Sequence, residues 1–455
     1  MTARSKTAFG LLLLLIGALP SWAEDVPSRL KKLEETTKTQ QEELDEQRKL
    51  IEKLKESLGE TPVSGSRTST PAVQTAPAGE AAKGTGLFGG SFMTNPYISL
   101  TVNTYYYGSN LSQGELDTRT IPGYSNVPIG YDKGFNLESA ELMLFAPVDP
   151  YFNLYATIPM NSDGAEVEEA YFVTSSLPAG LQVKGGRFLS GFGRINNQHP
   201  HAWDFADVPL NYRAMLGQDA MGGQDGIQLT CLPPLPVYLQ LGVEVLQGVN
   251  DLLFFPDGQS GPHAFTAFAK GSVDIGDSST LLVGASFITG QAQLYTVADD
   301  TVFTGNSNLY DLEAVYKWKP SRGRSVVLQS EYLYRKQKGS LFAGTAPDPA
   351  APSSPLKREQ DGLYVQALYQ MDRWRIGARY GVLDLFRSEY LLGGVQQNFG
   401  PRPWQVTGAL EFNPSEFSRL RLQYNHDESS GTGQANDEIF LQAILGIGAH
   451  AAHSF

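Results

Sequence analysis

From about residue 97 onward, apolar and polar positions alternate along the chain with a period of two. The segments YISLTVNTYYY (97–107), VYLQLGVEVL (237–246), SVVLQSEYLYRK (325–336), LYVQALYQM (363–371), WRIGARYGV (374–382) and RLRLQYN (419–425) each carry aliphatic or aromatic residues on one face. In the last of them Leu420, Leu422 and Tyr424 alternate with Arg419, Arg421, Gln423 and Asn425. This pattern predicts half-buried β-strands, and by itself it fits a soluble sandwich as well as a membrane barrel. The connections separate the two. Short turns recur at 146–151, 176–180, 232–236, 275–279, 319–324, 371–373 and 413–417. Between them stand mostly longer connections, at 108–135, 161–165, 193–224, 248–263, 293–307, 338–361, 386–402 and 428–437. Together they join sixteen strands, an even number with short turns at one end and longer loops at the other, as in a transmembrane barrel. The C-terminal run agrees: Ile439, Leu441, Ala443, Leu445, Ile447, Ala449, Ala451, His453 and Phe455 fall on one face, for which lipid is the natural solvent. The expected fold class is all-β, a transmembrane antiparallel β-barrel of about sixteen strands over residues 87–455, preceded by a short α-helical coiled coil.

The first 86 residues are built differently. Arg4 and Lys6, the apolar run FGLLLLLIGAL and the small-residue site Ser21-Trp22-Ala23 have the order of a secretory signal peptide, 1–23, cut before Glu24. No later run reaches the roughly 20 apolar residues of a transmembrane helix. Within 24–60 the seam Leu30, Leu33, Thr37, Gln40, Leu44, Gln47, Ile51, Leu54 and Leu58 alternates spacings of three and four between Glu and Lys. That predicts a short self-associating coiled coil on the periplasmic side, with a single solvated helix as the plainer alternative. Residues 61–86, rich in Pro, Ala, Ser and Gly, predict a disordered linker. The formal charge of −13 becomes two units more negative when Arg4 and Lys6 are removed, which argues against nucleic acid as a partner. Cys231 is the single cysteine, so no intrachain disulfide is possible.

Residues 193–226, GRINNQHPHAWDFADVPLNYRAMLGQDAMGGQDG, have neither helical nor strand periodicity. So long a structureless stretch inside a compact domain is expected only where the loop is functional. The segment leading into it, GGRFLSGFGRIN (185–196), resembles the glycine-basic-Phe…Phe-Gly segment of the phosphate-selective porin O/P superfamily. The layout of signal peptide, short coiled coil and roughly sixteen-strand barrel is also similar. The resemblance implies an outer-membrane protein of a Gram-negative bacterium, a homotrimer, in which loop 193–224 folds inward as a constriction. The terminal Phe455 resembles the aromatic that the barrel-assembly machinery reads in such proteins. Phosphate selectivity is not implied, because the dense lysine array of the selective members is missing here.

Within that frame the constriction residues are Arg194, His199, His201, Trp203, Asp204, Asp207, Arg213 and Asp219. Residues 87–226 hold 14 Asp/Glu against 6 Lys/Arg, whereas 311–425 hold 16 Lys/Arg against 11 Asp/Glu. Alternation turns Arg335, Arg375, Arg379, Arg419 and Arg421 to the lumen, with Glu331 and Glu411 among them. An acidic loop opposite a basic wall would set a transverse field that orients dipolar solutes and penalises apolar ones. The alternative is that these arginines pair with Glu331, Glu411 and their neighbours. His199 and His201, with Asp204 and Asp207, carry ligand types suited to zinc, against the plainer reading of loop packing, and no metal is assigned. Ser190 beside the two histidines is the one crowded nucleophile-and-base candidate, and proximity in sequence is not triad geometry, so no catalysis is expected. Gly217, Gly222, Gly223 and Gly226 are read as turn formers, since no helix follows that could cradle a phosphate. Residues 24–86 hold no folded plug, which excludes an energy-coupled receptor. The expected function is passive diffusion of small hydrophilic solutes or ions without a cofactor, in contact with outer-membrane lipid. Two alternatives stand: an anchor tying the membrane to peptidoglycan through the coiled coil, and a metal-uptake porin using His199 and His201.

Overall fold

The computed structural model describes residues 96–448 apart from 126, 257–259, 297–300, 345–351 and 431–432. The expected signal peptide, coiled coil and linker, and Phe455, lie outside the described residues. The strands are β1 (Tyr97–Ser109), β2 (Gly134–Pro147), β3 (Phe152–Asn161), β4 (Gly164–Ala165), β5 (Glu169–Thr174) and β6 (Leu181–Leu189). They continue with β7 (Gly223–Cys231), β8 (Tyr238–Leu246), β9 (Ala264–Ile275), β10 (Ser279–Thr296), β11 (Thr301–Ser321) and β12 (Arg324–Ala343). The ring is completed by β13 (Ser353–Met371), β14 (Trp374–Leu392), β15 (Val395–Gln396), β16 (Trp404–Ser415), β17 (Ser418–Asp427) and β18 (Asn436–Gly448). Neighbours pair antiparallel in chain order, and β1 pairs with both β2 and β18, so the sheet closes on itself. β4 and β15 are dipeptides, which leaves sixteen staves. The barrel is a closed sixteen-strand antiparallel barrel, as the alternation predicts.

Its faces are inverted relative to a soluble protein. In β17, Leu420 and Leu422 are each 47% exposed, while Arg421, Gln423 and Asn425 are buried. The same exchange runs through β18, where Ile439, Leu441 and Leu445 face out and Glu438 and Gln442 face in. So continuous an apolar outer surface far exceeds what a soluble monomer exposes, and only lipid makes it stable.

The short turns fall where the sequence puts them; β13 ends at Met371 and β14 begins at Trp374, for example. Three expected long loops are mostly strand instead. Residues 293–307, 338–361 and 386–402 contribute the ends of β10 through β14, which run to 18–21 residues. Segments such as YRKQKGS and PLKREQDG are polar on both faces, so period-two hydrophobicity fades there. Cross-strand ion pairs hold the register in its place: Lys336–Glu359 at 3.6 Å from β12 to β13 and a close Lys357–Glu389 pair from β13 to β14, with Lys357 and Glu359 linked along β13 at 3.1 Å.

The hydrophobic core lies inside the ring and is made largely by loops. Connection 110–133 contains helix α1 (Gln113–Leu116) and sends in Ile121, Tyr124 and Ile129. Connection 190–222 contains two 3-10 turns and helix α2 (Leu210–Met215), and buries Phe192, Ile195, Trp203, Val208, Tyr212 and Met215. Connection 247–263 adds Leu253, Phe254 and Phe255. These meet inward-facing Ile288, Leu309, Leu333 and Leu383 on the wall.

Candidate functional site

The glycines of GGRFLSGFGRIN steer the chain from β6 into the lumen. Gly193 has φ +63°, and a Cβ there would stand 2.2 Å from the Tyr212 hydroxyl. That close approach exists because both residues converge on Glu331 of β12. The Arg194 amide donates to Glu331 Oε1 at 2.6 Å and the Tyr212 hydroxyl donates to the same oxygen at 2.6 Å. The Tyr364 hydroxyl donates to Glu331 Oε2. Gly193→Ala is therefore expected to cost about 1–3 kcal/mol from backbone conformation alone, with the displaced tyrosine adding to it. A lowered melting midpoint of the detergent-solubilised barrel would register this; an unchanged midpoint would show that the loop entrance is not fixed at Gly193.

Beyond that entrance the loop lies against the arginines of β14 and β17. Asp204 pairs with Arg375, and Asp207 accepts from Arg379 at 2.6 Å. Arg379 also donates to the Asp207 carbonyl at 2.8 Å, while Gln423 and Asn425 donate to the Asp207 carboxylate at 2.6 and 3.1 Å. Arg421 donates to the Trp203 carbonyl at 2.9 Å, and Arg419 to that of His201 at 3.3 Å. Glu411 on β16 sits among Arg375, Arg419 and Arg421 at 3.6, 3.4 and 2.9 Å. From α2, Arg213 reaches Asp427 at 2.7 Å, which also meets Arg119 at 3.5 Å. The loop acids thus touch the basic wall directly instead of facing it across water, and the charges act as staples at this level. Arg335 belongs elsewhere: it donates to the Tyr124 carbonyl and to Gln360, and stacks over the Tyr124 ring. Glu331 takes its hydrogen bonds from tyrosines and the main chain, not from that arginine.

The loop's other foot stands on β2 and on the start of β5, five and seven staves around the ring from β14. There His199 Nδ1 lies 2.9 Å from Glu168 and 3.6 Å from Glu141, and His199 Nε2 lies 3.0 Å from Glu169. His201 Nδ1 lies 3.2 Å from the same oxygen of Glu141. Burial works against a charged His199, but its hydrogen bonds to Glu168 and Glu169, aided by the Glu141 charge, prevail and hold its pKa well above that of a free histidine. The two histidines are brought together, but not with Asp204 or Asp207, which the arginines occupy. Sequence reasoning missed Glu141, Glu168 and Glu169. The acid-rich EVEEAYF at the start of β5 was the available signal, and Glu141 holds a lumen-facing register position in β2. Trp203 is core, its indole donating to the Gln198 carbonyl at 3.1 Å, and Asp219 is exposed within the loop.

Below this strut is a cavity of about 1040 Å³ lined by Arg194, His201 and Asp204 from the loop and Arg375, Glu411 and Arg419 from the wall. Its rim is made by the short turns near 372 and 413–418, so it opens toward the short-turn end of the barrel. Five basic and four acidic side chains line it.

A protein of Aquifex aeolicus (strain VF5), described only as uncharacterized, is 38% identical over 385 residues, covering 79% of this chain and 80% of that protein. The chain belongs to the same family as that protein. No protein-family model matches the sequence. Among solved structures, the outer membrane channel DcaP of Acinetobacter baumannii aligns over 78% of this chain and 96% of its own, with a TM-score of 0.50 and 13% identity. The anion-selective porin from Comamonas acidovorans aligns over 78% and 99%, with a TM-score of 0.49 and 10% identity. At these identities the likeness to DcaP is one of fold.

Proposed function

We propose that this protein is an outer-membrane porin through which small hydrophilic solutes or ions diffuse passively, with the loop 193–224 as the narrowing element. The observation that carries the reading is a polar, charge-lined cavity enclosed by a lipid-facing barrel and roofed by an inward-folded loop. Porins such as DcaP share the fold, which supports the same reading. In it the chain is exported by residues 1–23, assembled through a terminal signal at Phe455, and associates as a homotrimer whose coiled coil, 24–60, hangs in the periplasm on the linker 61–86. Kinship with the phosphate-selective porin superfamily is part of this reading, without phosphate selectivity. Transport needs no cofactor and no chemistry on the solute.

The second reading, a tether to peptidoglycan, is favoured by one feature: three connections fill one half of the lumen with apolar side chains. Single-channel recording in a planar bilayer under a salt gradient distinguishes the two. Expected are steps grouped in threes with a reversal potential leaning toward the anion, given the five basic against four acidic cavity residues. A folded barrel that stays silent would move the assignment to the tether.

A further inference from the structure

We propose that Glu141, Glu168 and His199 form a binding site for a divalent transition-metal ion of the zinc class, with Glu169 as the carboxylate that orients His199 and His201 as a neighbour that holds Glu141. The three come from β2, the start of β5 and the loop, so the ion would join loop to wall. Donor atoms held at about 2.0–2.1 Å by tetrahedral zinc stand roughly 3.4 Å apart, and about 2.9 Å apart in an octahedron. The separations here are 2.9 Å from His199 Nδ1 to Glu168, 3.6 Å from His199 Nδ1 to Glu141, and 3.2 Å from His201 Nδ1 to Glu141. The two separations from His199 Nδ1 are those of edges of a coordination polyhedron with Glu141 and Glu168, and His201 stands behind Glu141. One ligand atom each from Glu141, Glu168 and His199 falls within a 4.8 Å group.

Both histidines converge on Glu141, and His199 has the surroundings of a ligand. The imidazole planes are 6° from parallel with centroids 5.7 Å apart, and both rings turn Nδ1 to the same Glu141 oxygen. The opposite nitrogen of His199 meets Glu169 at 3.0 Å, and Glu169 is itself held by the Leu189 amide at 3.0 Å. A carboxylate behind a ligating histidine fixes its tautomer and raises its basicity, a recurrent arrangement at metal centres. A donor set of one imidazole with two carboxylates suits zinc and its neighbours, whereas calcium takes six to eight oxygens. Three carboxylates converge here, and a dication would offset the negative charge buried with them. His201 also lines the 1040 Å³ cavity, which supplies a path from solvent.

The test uses the full chain purified in detergent, stripped with a chelator and titrated with zinc ion, then with cobalt ion as a spectroscopic substitute. Expected is one equivalent of zinc per chain, visible d–d absorption from bound cobalt that zinc abolishes, and no comparable uptake of calcium. Glu168→Gln and His199→Gln, each verified as folded by heat-modifiable gel mobility, should lose the equivalent. Glu169→Gln should weaken it about 10–100-fold. No saturable uptake by the folded wild-type chain would overturn the proposal, whatever the variants do. So would zinc binding that survives both Glu168→Gln and His199→Gln, or calcium bound as tightly as zinc. The readout is occupancy, so it is independent of whether the barrel conducts.

Discussion

Excision of residues 195–221, with a short glycine-serine bridge in their place, is expected to raise single-channel conductance severalfold. Sixteen strands about 4.8 Å apart and tilted near 40° enclose a backbone cylinder of roughly 16 Å radius. A cylinder that wide is nonselective unless something crosses it. The loop does so, from Glu169 on β5 to Arg379 on β14, seven of the sixteen staves away. Removing it exposes Leu309, Leu333 and Leu383 to lumen water, so folding weakens and conductance must be read on the heat-modifiable fraction. An unchanged step size would make connections 110–133 and 247–263 the limiting elements and demote the loop to packing.

Glu411→Gln is expected to have the largest effect on stability of any single exchange in the wall. Its carboxylate is 3% exposed as a residue and is the shared partner of three guanidinium groups. Arg375 keeps Asp204, but Arg421, equally buried, keeps only neutral acceptors. Breaking a buried pair on one side costs about 3–5 kcal/mol, most of it the penalty of the charge left behind. The melting midpoint in detergent should fall by many degrees, and the channels that remain should shift toward anion preference, because a cavity-lining negative charge is gone. A midpoint within error of wild type would mean that water or counter-ions already solvate the arginine cluster.

The sequence made the barrel legible through strand alternation and the contrast between short turns and long connections. Both are set by one physical demand: every strand must show lipid on one side and water on the other. Where that demand lapses, at Lys336–Lys338 or Lys357–Glu359, alternation lapses with it and strands read as loops. The loop's residue types were legible as chemistry, but their partners were not. His199 and Asp204 are five residues apart, yet meet different partners, glutamates for one and Arg375 for the other, because the 3-10 turn Pro200–Ala202 and the extended Trp203 after it turn the chain between them. Arg335 reads like Arg379 in its alternating strand; only the fold of connection 110–133 decides that it meets Tyr124 and not an acid. Pairings of this kind depend on which staves are adjacent to which loop, and local sequence does not contain that.

The long ends of β10 through β14 have one further consequence. A membrane crossing takes about 9–11 tilted residues, so strands of 18–21 leave a wall rising roughly 20 Å beyond the bilayer on one side of the mouth. β5 to β8, with 6–9 residues, leave almost none across the ring. The raised part has its own small apolar nucleus, Ala292, Leu294, Phe303 and Leu356, separate from the main one. It is thus a cooperative unit of its own: its amides can exchange through local opening while those of the girdle wait for global unfolding. The entrance is a sloped parapet that breathes above a rigid hoop, and a solute can arrive sideways over its low edge.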